Sequence, residues 1–209
     1  AVEYWRSRRP LCMGTLYWQL NDTWPAASWS SLEYGGKWKA LHYAAARFYA
    51  PFMITFQRKD DGEIELFGVN DTQQGFEGRL TIDRIGFDGS IEVLKKETVS
   101  IAPEGSTLMV SLRRATEQQA LVRATFESTR AHTTEAVLFL DEPKRCELQG
   151  NFTFQASHGH DSFAVMTDKP AFFVMLDIPG WDGHFSDNCF HLFPDRPKVI
   201  ELRASDPPE

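Results

Sequence analysis

The chain has 209 residues, 42% of them hydrophobic and 24% charged, with a formal net charge of −7. That composition is globular and suits one large domain or two to three small ones. An acidic chain without a basic stripe argues against nucleic acid as the main partner. No run approaches the roughly 18 apolar residues that cross a bilayer, so no membrane partner is expected.

The opening "AVEYWRSRRP" reads as the end of a helix, with basic residues in its last turn complementing the dipole and Pro10 stopping it. It lacks the long apolar core and cleavage site of a signal peptide. Without an initiating Met, the chain reads as part of something longer. "CMGTLYW" is nearly continuous apolar sequence, the pattern of a parallel strand covered on both faces. A second helix is expected after Gly35–Gly36, with Trp38, Leu41, Ala45 and Phe48 as its apolar stripe, ending at Pro51. Helix, strand, loop and helix in this order form a slice of a repeating α/β fold.

Beyond residue 50 the period changes. "GEIELFGVND", "FEGRLTIDRI", "GSIEVLKKETVSI" and "STLMVSL" alternate apolar and polar residues, with Asp-Gly and Asn-Asp turns between them. "QALVRATFES", "EAVLFLDEP", "NFTFQAS", "DSFAVMTD", "AFFVMLDI" and "PKVIELRA" continue the theme. These are half-buried antiparallel strands at sandwich spacing. The charge is +3 over residues 1–49, −3 over 50–115 and −7 over 116–209. Two small β-sandwiches are predicted, with a boundary between Arg114 and Gln118. Each is small for independent stability, so packing on each other or on a larger domain is expected.

The densest chemistry lies in "GTLYWQLNDTWPAASWSS", Gly14 to Ser31, which holds three of the six tryptophans. Functional loops of α/β barrels leave the C-terminal ends of the strands. Trp18 stands at such an end, followed by Gln19, Asn21, Asp22 and Trp24. Sugars present flat C–H faces edged with hydroxyls. An indole covers the face, while amides and carboxylates bind the hydroxyls. Trp29 and Trp38 are expected to pack helix against strand, and Asn21 and Asp22 have a turn-forming role as the alternative.

"AVEYWRSRRPLCMGTLYWQLNDTWPAASWSSLEYGGKWKALHYAAARFYAP" resembles the end of the catalytic barrel of β-mannosidases in glycoside hydrolase family 2. "DIPGWDGHFSDNCFHLFPDRPKVIEL" resembles the closing strands of that family's terminal immunoglobulin-like domain. The resemblance implies a mainly β fold, with two immunoglobulin-like β-sandwiches preceded by the last strand–helix unit of a (β/α)8 barrel. Residues 1–50 would be the barrel piece, 51–115 the first sandwich and 116–209 the second. It implies exo-hydrolysis of terminal β-D-mannose with retention, by two glutamates that lie on earlier strands and are not in this sequence. Trp18 would floor the mannose subsite, with Gln19, Asn21, Asp22 and Trp24 on or beside its rim. No cofactor and no metal are implied. The alternative is a non-catalytic carbohydrate-binding or structural β-sandwich module.

Other candidates have plainer readings. Glu33 is expected to cap the second helix rather than act as an acid. "SHGHD", with His158 and His160, is read as a turn before it is read as metal ligands, since ligand count decides such sites. Cys12, Cys146 and Cys189 form no CxxC pair, so neither zinc nor a redox motif is expected. An odd count fits a reducing compartment, with a Cys146–Cys189 disulfide as the alternative. Asn21, Asn70 and Asn151 each begin an N-x-T sequon. Phe185 is expected to anchor its loop. Trp181 is the best candidate for a separate sugar contact, with packing as the other reading. A lone barrel strand would expose a large apolar patch, so self-association or an altered conformation of this segment is expected.

Overall fold

The computed structural model describes residues 1–113, 119–130, 132–148, 154–158, 161–181 and 183–204. Helix α1 is Val2–Ser7 and α2 is Ala40–Phe48. The strands are β1 Phe52–Arg58, β2 Ile64–Asn70, β3 Phe76–Gly86, β4 Ile91–Ile101, β5 Gly105–Leu112, β6 Ala120–Ser128 and β7 Thr133–Phe139. They continue with β8 Phe154–His158, β9 Ser162–Thr167, β10 Ala171–Val174, β11 Gly183–Phe185, β12 Phe190–Leu192 and β13 Lys198–Ala204. The chain forms two compact units, residues 1–15 with 48–148, and residues 16–47 with 149–209.

The first unit is a sandwich of two antiparallel sheets, β1-β2-β5 and β4-β3-β6-β7. Alternation builds its core. Phe76, Leu80 and Ile82 of β3 point inward with Val122, Ala124 and Phe126 of β6, and meet Ile54, Phe56 and Leu66 from the other sheet. At the sheet edge, β4 carries Lys95 and Lys96 and is mostly exposed, which discourages pairing with another chain. Asp61–Gly62 and Asp88–Gly89 make turns in which the glycines take φ of 85° and 94°, a region other residues avoid.

Two expectations change here. The division after residue 115 does not separate the sandwiches, because β6 pairs with β3 from Gly78 to Gly86 and fills the same core. A strand that completes both the ladder and the core of one sandwich belongs to it. The residues expected to hold the boundary, 114–118, lie outside the described residues. Nor do the first fifty residues form a unit of their own. Among them, the expected strand over "CMGTLYW" is absent: residues 12–17 have no regular structure, and Leu11, Met13 and Leu16 are exposed. A parallel strand needs neighbours on which to form its ladder, and no described strand pairs with this segment.

Arg6 ties α1 into the first unit. Its guanidinium donates to the carbonyls of Phe48 (2.5 Å) and Ala50 (2.8 Å) and to Asp71 Oδ2 (2.7 Å). Asn70 is fully buried and builds the turn after β2. Its Nδ2 donates to the carbonyls of Gln74 (2.8 Å) and Ala102 (3.0 Å), and its Oδ1 accepts from the Thr72 backbone N–H (2.9 Å). The sequon at Asn70 therefore has no free amide in the folded chain. The sequon at Asn151 lies outside the described residues.

The second unit holds the sheets β11-β13-β9-β8 and β10-β12. Its core joins Val165, Phe185, Phe190, Leu192 and Ile200 to Tyr43 of α2. The Phe185 backbone N–H donates to the Tyr43 hydroxyl (3.2 Å), and Phe185 is buried as expected of an anchor. The expected stripe on α2 is corrected: Tyr43 and Ala45 are buried while Leu41 is exposed. Trp38 packs on this core as expected. Its ring stacks on His184 at 4.3 Å and meets His42 edge-on at 4.3 Å. Burial holds both histidines below the usual imidazole range. Trp181 also packs on the core, 5.1 Å from Phe185.

Candidate functional site

The candidate residues lie on one loop of the second unit, from Trp18 to Tyr34. The stretch doubles back on itself. The Ser31 N–H donates to the carbonyls of Gln19 (3.0 Å) and Leu20 (3.1 Å), Leu32 N–H donates to Leu20 (2.8 Å), and Asp22 N–H donates to Leu32 (3.1 Å). Asn21 and Leu32 form a parallel bridge. Short polar side chains favour such paths because they bond the nearby backbone.

Asp22 is the buried centre of the loop. Its carboxylate accepts from Lys39 Nζ (2.8 Å) and from the Ser28 hydroxyl. The bond from the Lys39 ammonium, then that from Ser28, holds its pKa below the usual carboxylate range. Lys39 also donates to Ser30 Oγ (2.7 Å). Ser31 is a second centre that the sequence did not reveal. Its buried hydroxyl bonds the Leu20 carbonyl (2.9 Å), the Tyr17 hydroxyl (2.8 Å) and His42 Nδ1 (3.0 Å). With its own proton on the carbonyl, it accepts from the other two. In "SWSS" only a run of hydroxyls signals this hub.

The rings point the other way. Trp18, Trp24 and Trp29 are 77%, 69% and 80% exposed. For Trp29 this corrects the expected packing role; Trp38, half-buried, is the ring that packs on the core. Gln19 is half-buried and Asn21 exposed, its Nδ2 bonding the Asp22 carbonyl at 3.2 Å. The loop thus gathers Gln19, Asn21 and Asp22 along one pair of backbone segments, and Trp18 and Trp24 make no ring contact among the described residues. The expected capping by Glu33 is also corrected. Glu33 is exposed and makes a tight turn, its N–H donating to the Lys37 carbonyl (2.9 Å), while α2 starts only at Ala40 and has no acid in its first turn.

The three cysteines are free. The described residues contain no group of three or more His, Cys, Asp or Glu placed to hold a metal. The side chain of His158 and all of His160 lie outside them. No described helix is long and apolar enough to cross a membrane.

Comparison with known proteins now places this architecture. Residues 62–145 match a family described as a mannosidase Ig/CBM-like domain, and residues 147–209 match one described as an Ig-fold domain of mannosidases. The β-mannosidase of Mus musculus is 34% identical over 205 residues, covering 90% of this chain and 23% of that protein. The β-mannosidase of Capra hircus is 35% identical over 196 residues, covering 85% and 22%. The crystal structure of β-D-mannosidase from Dictyoglomus thermophilum matches with a TM-score of 0.83 at 22% identity, over 98% of this chain and 26% of that one. The exo-chitosanase of Amycolatopsis orientalis shares the fold with a TM-score of 0.68 at 17% identity, over 96% and 29%. Both matched families are immunoglobulin-like domains of the mannosidase type. The chain belongs to the β-mannosidases of glycoside hydrolase family 2, as a C-terminal part, and spans about a quarter of the length of the relatives it matches.

Proposed function

We propose that the loop from Trp18 to Ser31 supplies part of the sugar subsite of an exo-β-mannosidase that removes terminal β-D-mannose with retention. Two carboxyl groups about 5 to 5.5 Å apart perform such chemistry, one as acid and base and one as nucleophile. They belong to the longer polypeptide and not to this chain. Residues 1–50 contribute to closing the catalytic barrel, and the sandwiches are accessory. Trp18 lies under the mannose ring. Gln19, Asn21 and Trp24 stand at the rim. Asp22 works from beneath by bracing the loop, since its carboxylate is engaged with Lys39 and Ser28.

One observation carries the reading. Trp18 is exposed although the backbone after it is fixed by hydrogen bonds from Ser31. An indole held ready for a ring lowers the ordering cost of binding. In the longer polypeptide, Trp18→Ala is expected to lower kcat/KM on an aryl β-mannoside about 10- to 100-fold, as for loss of a well-packed aromatic contact. An unchanged kcat/KM would contradict the reading. The 209-residue chain alone is expected to hydrolyse nothing. Turnover by the purified chain that disappears on Glu33→Gln would contradict that part.

A further inference from the structure

We infer that His42 is a positioning residue for the sugar-binding loop, and that β11 and the turn after it hold His42 in place. The inference rests on the reading of Trp18 and Gln19 as part of the subsite. It goes beyond that reading by giving a strand of the terminal immunoglobulin-like domain a part in setting the site.

The loop hangs on Ser31, which has no exposed surface. Its backbone N–H donates to the carbonyls of Gln19 and Leu20, and so fixes the chain directly after Trp18. Its hydroxyl donates to the Leu20 carbonyl and accepts from the Tyr17 hydroxyl and from His42 Nδ1 (3.0 Å). Tyr17 directly precedes the loop. His42 instead stands in the first turn of α2, so it brings the support of another element. Removing a donor from a fully buried oxygen destabilises its surroundings more than the same loss in water.

The imidazole is held in turn. It meets Trp38 edge-on at 4.3 Å, and Trp38 stacks on His184 of β11, also at 4.3 Å and 13° from parallel. Tyr43 and Arg47, about one helical turn apart on α2, reach the same strand and turn. The Tyr43 hydroxyl accepts from the Phe185 N–H (3.2 Å). The Arg47 guanidinium pairs with Asp187 and donates to the carbonyls of Asn188 and Cys189, both at 3.1 Å. Buried Asn188 fixes that turn, accepting from the Leu176 N–H (2.8 Å) and donating to the Leu176 carbonyl (2.9 Å). Contacts thus run without a break from His184 through Trp38, His42 and Ser31 to Gln19. A loop braced in this way needs less ordering when sugar binds.

The test uses the longer polypeptide and an aryl β-mannoside. His42→Leu is expected to raise KM about tenfold, the effect of one buried hydrogen bond, with kcat changed by less than about twofold. A role in stability alone would lower kcat with the folded fraction and leave KM unchanged, and that result would overturn the inference. His42→Asn, whose side-chain N–H takes the place of Nδ1, is expected to bring KM back to within about threefold of the native value. His184→Ala, which also serves if His42→Leu does not fold, is expected to raise KM about threefold and to add nothing to His42→Leu in the double variant. An unchanged KM for His184→Ala, or full additivity in the double variant, would overturn the relay from β11. Hydrogen exchange of the amides in residues 19–32 reads the bracing without sugar. His42→Leu is expected to speed it about tenfold, and His42→Asn to leave it near native. Unchanged exchange in His42→Leu would overturn the inference whatever the kinetics. Trp18→Ala, measured in parallel, separates the two readings. If it leaves kcat/KM unchanged, the reading of Trp18 fails, and the exchange result still decides on His42.

Discussion

Arg123→Met should lower the stability of the first sandwich by about 3–5 kcal/mol, the loss expected when one partner of a buried ion pair is removed. Arg123 and Asp83 face each other across β6 and β3. Nη2 lies 2.7 Å and Nε 3.3 Å from Asp83 Oδ2, and both residues are buried. Around them Ile85, Leu121 and Thr125 are buried too, so this outer face of the sheet centre is dry. Methionine fills most of the volume but leaves a buried carboxylate without its cation. Replacing both, as Asp83→Leu with Arg123→Met, should restore much of the loss, because an apolar pair of similar volume removes the desolvation penalty. Urea unfolding of the 209-residue chain, with each unit's transition fitted separately, measures both. A loss under about 1 kcal/mol for the single variant would show that the pair is solvated.

The second large effect is in acid. His191 on β12 accepts from the Phe173 backbone N–H through Nδ1 (3.3 Å) and lies edge-on to the rings of Phe172 and Phe173. That bond needs an unprotonated Nδ1. Burial, followed by the cations Arg47 and Lys198, pushes its pKa down to about 4. In the unfolded chain it titrates near 6.5. At pH 7 both states are mostly neutral and the group has little effect. As pH falls below 6.5 the unfolded chain takes up a proton and the folded one does not, so stability declines until about pH 4 and then levels. The shift corresponds to about 3 kcal/mol. His42 and His184 act in the same direction. Asp22 and Asp88 have lowered values, so their loss falls at lower pH, below the usual carboxylate range. His191→Asn should remove most of the decline between pH 6.5 and 4 in urea midpoints. Parallel declines in the two proteins would refute this assignment.

Local pattern carried much of the fold. Alternation in "GEIELFGVND" and "FEGRLTIDRI" placed β2 and the inner face of β3, and the Asp-Gly turns fell where the chain reverses. What failed depends on distant partners. "QALVRATFES" reads as a half-buried strand, yet nearly all of β6 is buried, Arg123 and Thr125 included. No local signal tells whether β6 joins the strands before or after it. The candidate loop divides the same way. Its mixture of rings and amides was visible, and Asn21 and Asp22 could be read as turn formers. That Asp22 pairs with Lys39 seventeen residues on, and that Trp29 rather than Trp38 faces outward, follows only from the loop's return path.

The most direct test of the sugar-platform account is a crystal structure of the longer polypeptide with a bound β-mannoside. The account predicts the Trp18 indole flat against the C–H face of the terminal mannose, with carbon contacts of about 4 Å. An indole covered by protein side chains, with the mannose ring resting on another residue, would contradict it.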